Sequence, residues 1–366
     1  MGELKSITKG GDMKQINLGI IGTGWCGGIR TEAARASSLV KDIHIAETNE
    51  LRLKEMSELV SAKTATTDYR DILKIKEIDA IIISATPETT HYSMARDALL
   101  AGKHVFLEKP IAIELHEADE LIALAKKCNL KFTIGYSQRF NPKFAYVKKS
   151  ITTGAIGKPV SVLVSRHITR GLGKKISGRV KLSPAAMEST HDLDFVFWCL
   201  EPAKPVKIYS QVNYGVMRES TGADIPDSQW ITVTMDSGLS FVVGGGWSLP
   251  LGYPNFSTTW IEFIGTEGAI MVDDSHKDVV INTVEKGMQL PMSTMPGEKV
   301  DHVFAGPMAA ETIHFIEAVA LDRPIMVTGE QARTVMEVYM AADLSAETGE
   351  PVYLPLSQEK LKLVAG

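Results

Sequence analysis

The chain has 366 residues, of which 44% are hydrophobic and 23% are charged, a balance typical of a folded globular protein. Its length predicts more than one domain, because a single core stops growing at roughly 250–300 residues. A net charge of -5, with no basic segment interleaved with aromatic residues, argues against a nucleic-acid partner. No apolar run reaches the roughly 18 residues of a spanning helix, so we expect no membrane partner. The three cysteines fit neither a disulfide framework nor a zinc site, which predicts a reduced, cytoplasmic protein.

A short apolar segment at residues 16–21 is followed by a glycine-rich turn and then by a helical segment at residues 28–38. A strand, a GxGxxG turn and a helix in this order are typical of dinucleotide binding. Gly22 permits the tight turn, Gly24 lets a pyrophosphate approach the backbone, and Gly27 lets the helix pack close to the strand. The helix N-terminus directs its unpaired N–H groups at the phosphates. The predicted cofactor-binding residues of this turn are Gly22, Thr23, Gly24, Trp25, Cys26 and Gly27.

Glu47 ends the second predicted strand and lies 20 residues after Gly27. The dinucleotide fold places its ribose-binding carboxylate at about this distance. A carboxylate here accepts hydrogen bonds from the adenosine ribose hydroxyls and repels a 2′-phosphate, so we expect NAD rather than NADP. Arg52 and Lys54 follow closely and keep NADP open as the alternative.

Strand and helix signals alternate through the rest of the first half. The five predicted strands are residues 16–21, 42–46, 78–84, 104–107 and 131–135. This alternation predicts a parallel, doubly wound Rossmann sheet in a domain of residues 14–137, and ligands of such sheets bind beyond the carboxyl ends of the strands. The segments that fall at this edge are Gly22–Gly27, Glu47, Thr86–Pro87 and Glu108–Pro110. Their convergence predicts the cofactor site at that edge.

The second half consists of short runs that alternate polar and apolar residues and are separated by turn signals. This pattern predicts a large, mostly antiparallel, open-faced sheet in an α+β domain of residues 138–366. Helices predicted at residues 190–200, 309–321 and 328–347 are expected to cover one face of the sheet. The other face needs a cover, so we expect a homodimer or homotetramer. The predicted fold class is therefore α/β, with a Rossmann domain followed by an α+β domain.

Together these segments resemble the glucose–fructose oxidoreductase, inositol dehydrogenase and rhizopine catabolism (Gfo/Idh/MocA) family. The resemblance covers about residues 15–356 and is most specific from Ala101 to Pro110, which contains the Glu-Lys-Pro motif. The other matching segments are Gly22–Gly27, Asp79–Pro87 with His91, His191–Asp194 and the segment from Arg323 to Pro351. The resemblance implies sugar, inositol or polyol substrates, a cis bond before Pro110 and a nicotinamide ring near the motif lysine. The predicted cofactor-binding residues at the sheet edge also include Thr86, Pro87, Glu108 and Lys109, and the resemblance adds His91.

Alcohol oxidation needs a base that takes the hydroxyl proton as hydride leaves, and reduction needs the same group as an acid. Histidine suits both directions near neutral pH. His191 is the predicted catalytic base, because the resemblance places it at the family's catalytic histidine and because it begins a predicted helix whose N-terminus disfavours imidazolium. Lys109 is the second predicted catalytic residue, since its ammonium can stabilise a developing alkoxide.

The sequence departs from the family four residues before His191, where the family usually has Asp and this chain has Met187. Glu188 and Asp194 lie three residues before and three residues after the histidine, within side-chain reach on a helix. We predict Glu188 as the replacement carboxylate. The alternatives are that the site works without this carboxylate or that catalysis has been lost.

Arg139 and Arg166 are predicted to bind substrate hydroxyls or a carboxylate, together with Lys109 and His191. The acids beside the histidine suggest a metal triad, but acids at a helix start explain them, so we expect no metal. The sequence thus predicts an NAD(P)-dependent dehydrogenase that transfers a hydride between nicotinamide and a sugar, inositol or polyol carbon. The alternatives are a glycosidase with tightly held NAD and an internal redox cycle, and a non-catalytic dinucleotide-binding sensor with a protein partner.

Overall fold

The computed structural model describes most of the chain. The described residues are 14–177, 182–222, 224–251, 253, 257–273, 279–289, 299–301, 303–304 and 306–357. Residues 358–366, the end of the predicted second domain, lie outside them.

Strands and helices alternate through the first half, which the structure describes from residue 14 onwards. The strands are β1 (Ile16–Ile21), β2 (Val40–Ala46), β3 (Thr64–Thr66), β4 (Ala80–Ile83), β5 (His104–Leu107) and β6 (Phe132–Ile134). The helices are α1 (Trp25–Arg35), α2 (Glu50–Val60), α3 (Tyr69–Leu73), α4 (His91–Leu100) and α5 (Leu115–Lys127). The strands pair in parallel in the order β3-β2-β1-β4-β5-β6, which confirms the doubly wound Rossmann sheet.

This sheet has six strands where the sequence predicts five. The additional strand, β3, is an edge strand of three residues, Thr-Ala-Thr, with partly exposed side chains. Because it is short and buries no apolar face, it carries no hydrophobic signal. By contrast, every residue of β4 is fully buried, as expected for a central strand with helices on both faces.

The second half forms a larger sheet with helices packed against it. The strands are β7 (Pro159–Thr169), β8 (Pro205–Asn213), β9 (Ser228–Met235), β10 (Ser240–Leu249), β11 (Ser257–Gly265), β12 (Ala269–Asp273), β13 (Ile281–Thr283), β14 (Gly287–Gln289), β15 (Lys299–Val300), β16 (Val303–Phe304) and β17 (Val352–Tyr353). The helices are α6 (Pro142–Thr152), α7 (Arg170–Ser177), α8 (Thr190–Leu200), α9 (Val216–Thr221), α10 (Met308–Ala320) and α11 (Gly329–Thr348).

Seven of these strands pair in the order β12-β11-β7-β10-β9-β8-β17. Among the described strands of this sheet only the β7–β10 pairing is parallel, so the prediction of a mostly antiparallel sheet is confirmed. Its inner face buries alternate residues such as Ile231, Val233 and Phe263 against α8 and α11. Trp230 and Trp260 on the outer face are exposed.

Helix α10 differs from its predicted position. The sequence places it on the second sheet, but Phe315, Ile316 and Val319 join the core formed by β1 and β2. Phe315 also meets Phe106 of β5 edge-on, with ring centroids 5.7 Å apart. A strong apolar face shows that a helix is buried but does not show which sheet buries it. The division of the chain between residues 137 and 138 stays a prediction.

The cysteines Cys26, Cys128 and Cys199 are free thiols. Among the helices in the described part of the chain, none has the length and hydropathy needed to cross a bilayer. The cytoplasmic location stays a prediction.

Candidate active site

A cavity of about 630 Å³ lies beyond the carboxyl ends of the Rossmann strands. Residues that end or follow these strands line it, including Ile21, Ala46 and Ser84. The second half of the chain contributes Glu188 and His191 to the same cavity. The cleft is therefore shared between the cofactor edge of the first sheet and the second half of the chain.

The glycine turn between β1 and α1 has the geometry that a dinucleotide needs. Gly22 has φ +81° and lies against the backbone of Ala85, where a Cβ would come within 2.9 Å. A Cβ on Gly27 would lie 2.0 Å from the carbonyl oxygen of Gly22, so only glycine lets α1 start this close to the strand. Gly24 lines the cleft with no atom within 4 Å of its would-be Cβ, which leaves room for a phosphate.

The other predicted residues of this turn divide into two groups. Trp25 and Cys26, in the first turn of α1, line the cleft. Thr23 is fully buried, and Gly27 and Pro87 also lie outside the lining of the cavity. These three residues therefore shape the glycine turn and the loop after β4 without lining the cavity.

Glu47 is hydrogen-bonded to the glycine turn. The Thr23 N–H donates to its Oε2 at 2.7 Å, and the Asn49 N–H donates to its Oε1 at 3.0 Å. Burial alone raises the pKa of Glu47, but these donors and the Thr23 hydroxyl outweigh burial and lower it below its ordinary value. An ionised carboxylate that lines the cleft suits ribose hydroxyls and opposes a 2′-phosphate. Arg52, which the sequence offers to a phosphate, donates from Nε to the Thr23 carbonyl oxygen at 2.7 Å.

Lys109 connects the two halves of the chain at the cleft. It follows β5, lines the cavity, and donates from Nζ to the carbonyl oxygen of Met187 at 2.7 Å. The Lys109–Pro110 bond is cis, as the resemblance implies. A backbone carbonyl therefore orients the ammonium at the position where the family usually supplies a carboxylate.

That carbonyl belongs to a π-helical turn, Ala185–Ser189, which runs directly into α8. Such turns occur frequently at functional sites. The Met187 side chain is buried in a small core cluster with Ile168 and Trp247. The neighbouring Glu188 lines the cleft, where burial raises its pKa and the nearby Lys109 and Arg166 charges oppose that rise.

His191 lies in the first turn of α8 and also lines the cleft. Burial lowers its pKa well below the ordinary value, and the charges of Lys109 and Arg166 lower it further. The imidazole is therefore neutral at physiological pH. Its Nδ1 is buried and has no hydrogen-bond partner among the described residues. The site thus combines an ammonium, a neutral imidazole and a carboxyl group.

Two family models match nearly the whole chain. Residues 16–136 match the NAD-binding Rossmann fold of the Gfo/Idh/MocA oxidoreductase family, and residues 148–354 match its C-terminal alpha/beta domain. The chain belongs to the Gfo/Idh/MocA oxidoreductase family. It is an oxidoreductase with an NAD-binding Rossmann domain, and the glycine turn and Glu47 are the residues that fit this cofactor.

Similar proteins include two inositol dehydrogenases. Myo-inositol 2-dehydrogenase of Thermotoga maritima is 24% identical over 93% of this chain and 98% of its own length. The NAD-dependent scyllo-inositol 2-dehydrogenase of Bacillus subtilis is 27% identical over 84% of this chain and 86% of its own length. The solved structure of scyllo-inositol dehydrogenase from Lactobacillus casei, with bound NAD(H) and scyllo-inositol, has a TM-score of 0.79 at 19% identity, covering 93% and 99% of the two chains. These likenesses confirm the fold.

The sequence predicts that Arg139 binds the substrate, but this residue lies outside the lining of the cleft. Its Nε and Nη2 donate to the two carboxylate oxygens of Asp194 at 2.9 and 2.6 Å, and Nη1 donates to Met326 O and Gln331 Oε1. The guanidinium is buried and is absent from the lining of the cleft. Arg139 therefore has a structural role, contrary to the sequence prediction.

Arg166 does line the cleft. Its Nε and Nη2 each donate to the carboxylate of Asp192 at 2.8 Å, so the guanidinium is held in a fixed orientation. The two acids that follow His191 in the sequence, Asp192 and Asp194, are thus paired with two different arginines.

Glu108 and His91, predicted to bind the cofactor, line the cleft but have protein partners of their own. Glu108 Oε1 accepts a hydrogen bond from Arg30 Nε at 2.8 Å, and the same guanidinium binds Glu311 of α10. Sequence reasoning missed this buried cluster, because its partners are far apart along the chain. Gln138 and Asn141, which follow β6 and line the cleft, were also missed, although their place after a strand end is a usable signal.

Proposed function

We propose that this protein is an NAD-dependent dehydrogenase of a sugar, an inositol or a related polyol. One observation supports this most: the neutral His191 and the Lys109 ammonium line the same cleft as the glycine turn. A base that is neutral at working pH and a cation that stabilises an alkoxide are the two groups that alcohol oxidation requires.

In the proposed mechanism, His191 accepts the proton of the substrate hydroxyl. The Lys109 ammonium donates a hydrogen bond to the same oxygen and stabilises the charge that develops on it. When bound, NAD supplies the hydride acceptor for the carbon. Arg166, fixed by Asp192, is positioned to bind a further hydroxyl of the substrate.

We propose further that Glu188 replaces the aspartate that the family usually has near the histidine. The supporting observation is that Glu188 lines the cleft near the Lys109 and Arg166 charges, whereas the Met187 side chain packs in a core cluster. A carboxyl group here can exchange protons with the site and offset the two cations.

The substrate class rests on the relatives, which are named for inositols. A screen of inositols, sugars and their keto forms, followed by nicotinamide absorbance with NAD and NADP in parallel, tests it directly. We expect turnover with an inositol or a related polyol and with NAD. Hydrolysis without net cofactor turnover would instead indicate the glycosidase, and binding without turnover would indicate the sensor.

Variants test the residue roles. Lys109→Ala should lower kcat roughly 10²–10³-fold and leave NAD affinity nearly unchanged. The matched control is Lys126→Ala, which removes an exposed lysine on α5 and should change neither quantity.

Glu188→Gln should alter the pH–rate profile. Glu188→Asp keeps a carboxyl group, so its profile should lie closer to that of the parent protein. An unaltered profile in Glu188→Gln would exclude Glu188 as the replacement carboxylate.

We also propose that the outer face of the second sheet pairs with another copy of this chain. Strand register places Trp230, Gly244, Ser165 and Trp260 in one row across that face, with both tryptophans exposed. Tryptophan is enriched at protein–protein interfaces relative to the rest of the surface. Trp260→Glu should shift the sedimentation coefficient toward the monomer, whereas Leu51→Glu, at an exposed leucine of α2, should not. A parent protein that sediments as a monomer would refute this proposal.

A further inference from the structure

His91 has an unusual pair of contacts. It is the first residue of α4, and its ring is 1% exposed. The ring Nδ1 lies 2.8 Å from the carbonyl oxygen of Pro110, and Nε2 lies 3.0 Å from the carbonyl oxygen of Ala85. Both ring nitrogens are therefore engaged by the backbone, and neither is left to bind a cofactor.

The two carbonyls belong to different loops of the cleft. Ala85 follows β4 and precedes Thr86, and Pro110 follows Lys109 after β5. These two strands are neighbours in the sheet, with Ile83 paired to Leu107 at their carboxyl ends. Because Ala85, Thr86 and Lys109 all line the cleft, the buried ring of His91 connects two loops that both border the cleft.

A carbonyl oxygen only accepts, so the ring nitrogen that carries a proton donates a hydrogen bond to one of the two carbonyls. The other ring nitrogen contacts the second carbonyl. In either tautomer the ring therefore hydrogen-bonds one loop while it touches the other.

We propose that His91 is a positioning residue, a buried ring that fixes the loop after β4 against the Glu-Lys-Pro loop and so holds Lys109 in place. The part that concerns turnover rests on the proposed role of Lys109. The part that concerns NAD affinity stands without it. A substitution of His91 removes none of the proposed catalytic side chains, so the expected defect is one of their alignment.

His104 offers a matched control. It begins β5 at the opposite edge of the sheet, and its Nδ1 accepts a hydrogen bond from the Lys131 N–H at 2.9 Å. His104→Gln thus removes a histidine contact to the backbone of the same domain, away from the cleft. His91→Gln leaves an amide that can donate to one of the two carbonyls, and His91→Phe keeps a ring but has no donor.

The test measures NAD affinity by calorimetry, kcat and KM with the best substrate, and melting temperature for each variant. We expect His91→Gln to weaken NAD binding and to lower kcat roughly 10- to 100-fold, since small misalignments cost this much. KM should change less than kcat, and the melting temperature should fall no further than in His104→Gln. Unchanged NAD affinity and kcat in a folded His91→Gln protein, or equal losses in His104→Gln, would overturn the proposal.

Nitrogen NMR of the histidine-labelled parent protein gives a readout that does not depend on activity and remains available if His91→Phe fails to fold. A ring N–H of His91 that is protected from exchange with solvent is expected, with the His91→Gln spectrum providing the assignment. A His91 ring N–H that exchanges freely with solvent would overturn the proposal. If no substrate is found, the proposed function fails while NAD affinity and this spectrum still decide the role of His91.

Discussion

Glu311 should make the stability of this protein depend on pH near neutrality. It lies on α10, is 2% exposed, and its Oε2 accepts a hydrogen bond from Arg30 Nη2 at 2.8 Å. Its second oxygen, Oε1, is buried without a partner in the described part of the chain. Burial raises the pKa of Glu311 to about 7; the Arg30 charge opposes the rise, and the Glu108 charge, bound to the same guanidinium, adds to it.

The size of the effect follows from the shift. A rise from the ordinary value of 4.5 to about 7 corresponds to about 3 kcal/mol, because each pKa unit is worth ~1.4 kcal/mol. The folded state holds this proton more tightly than the unfolded state does. The stabilisation is therefore fully present below pH 4.5 and is lost as the pH rises through about 7.

The substitution Glu311→Gln keeps the size of the side chain and removes the titration. As the pH is raised from about 5 to about 8, the free energy of unfolding of the variant should rise by about 2–3 kcal/mol relative to that of the parent. Urea denaturation of the cofactor-free proteins at both pH values measures this difference. Glu317→Gln, at a carboxylate on the same helix that pairs with Arg323 at the surface, is the control. The reasoning would be refuted if the unfolding free energy of Glu311→Gln changed with pH no more than that of Glu317→Gln, or fell relative to the parent.

Three further outcomes are expected. Gly27→Ala should weaken NAD binding more than tenfold by calorimetry, since its Cβ would lie 2.0 Å from the Gly22 oxygen, while Gly238→Ala in a distant turn should not. Arg139→Met should cost about 3–5 kcal/mol in urea denaturation, because Asp194 is left buried without its partner, and should leave KM unchanged; a raised KM alone would restore a substrate role. Trp247→Phe should cost about 1 kcal/mol in the same assay, through loss of the Nε1 hydrogen bond to a backbone carbonyl, and no loss would contradict this account.

The cofactor half was largely readable from the sequence because its signals are local. The signals are the glycine turn, the apolar strands that alternate with helices, and the Glu-Lys-Pro motif. Each signal is made of residues that are close together in the chain. The parallel sheet then brings all strand ends to one edge, so the position of the cleft follows from topology alone. The short edge strand β3 was missed, because it buries no apolar face.

The chemistry of individual side chains was decided by contacts that the sequence does not encode locally. Arg139 and Arg166 are indistinguishable as candidates in the sequence, yet one is buried against Asp194 and the other lines the cleft. Likewise, nothing in the order of residues showed that His91 faces two carbonyls.

The sequence by itself therefore determined the fold, the cofactor edge and the residues available for chemistry, since short-range periodicity and turn chemistry specify secondary structure and its order. Only the tertiary structure decided that α10 returns to the first sheet, and that Lys109 donates to the Met187 carbonyl oxygen while Glu188 lines the same cleft. The physical reason is that burial and charge pairing join residues hundreds of positions apart, such as Arg30 and Glu311, and these set both pKa values and roles.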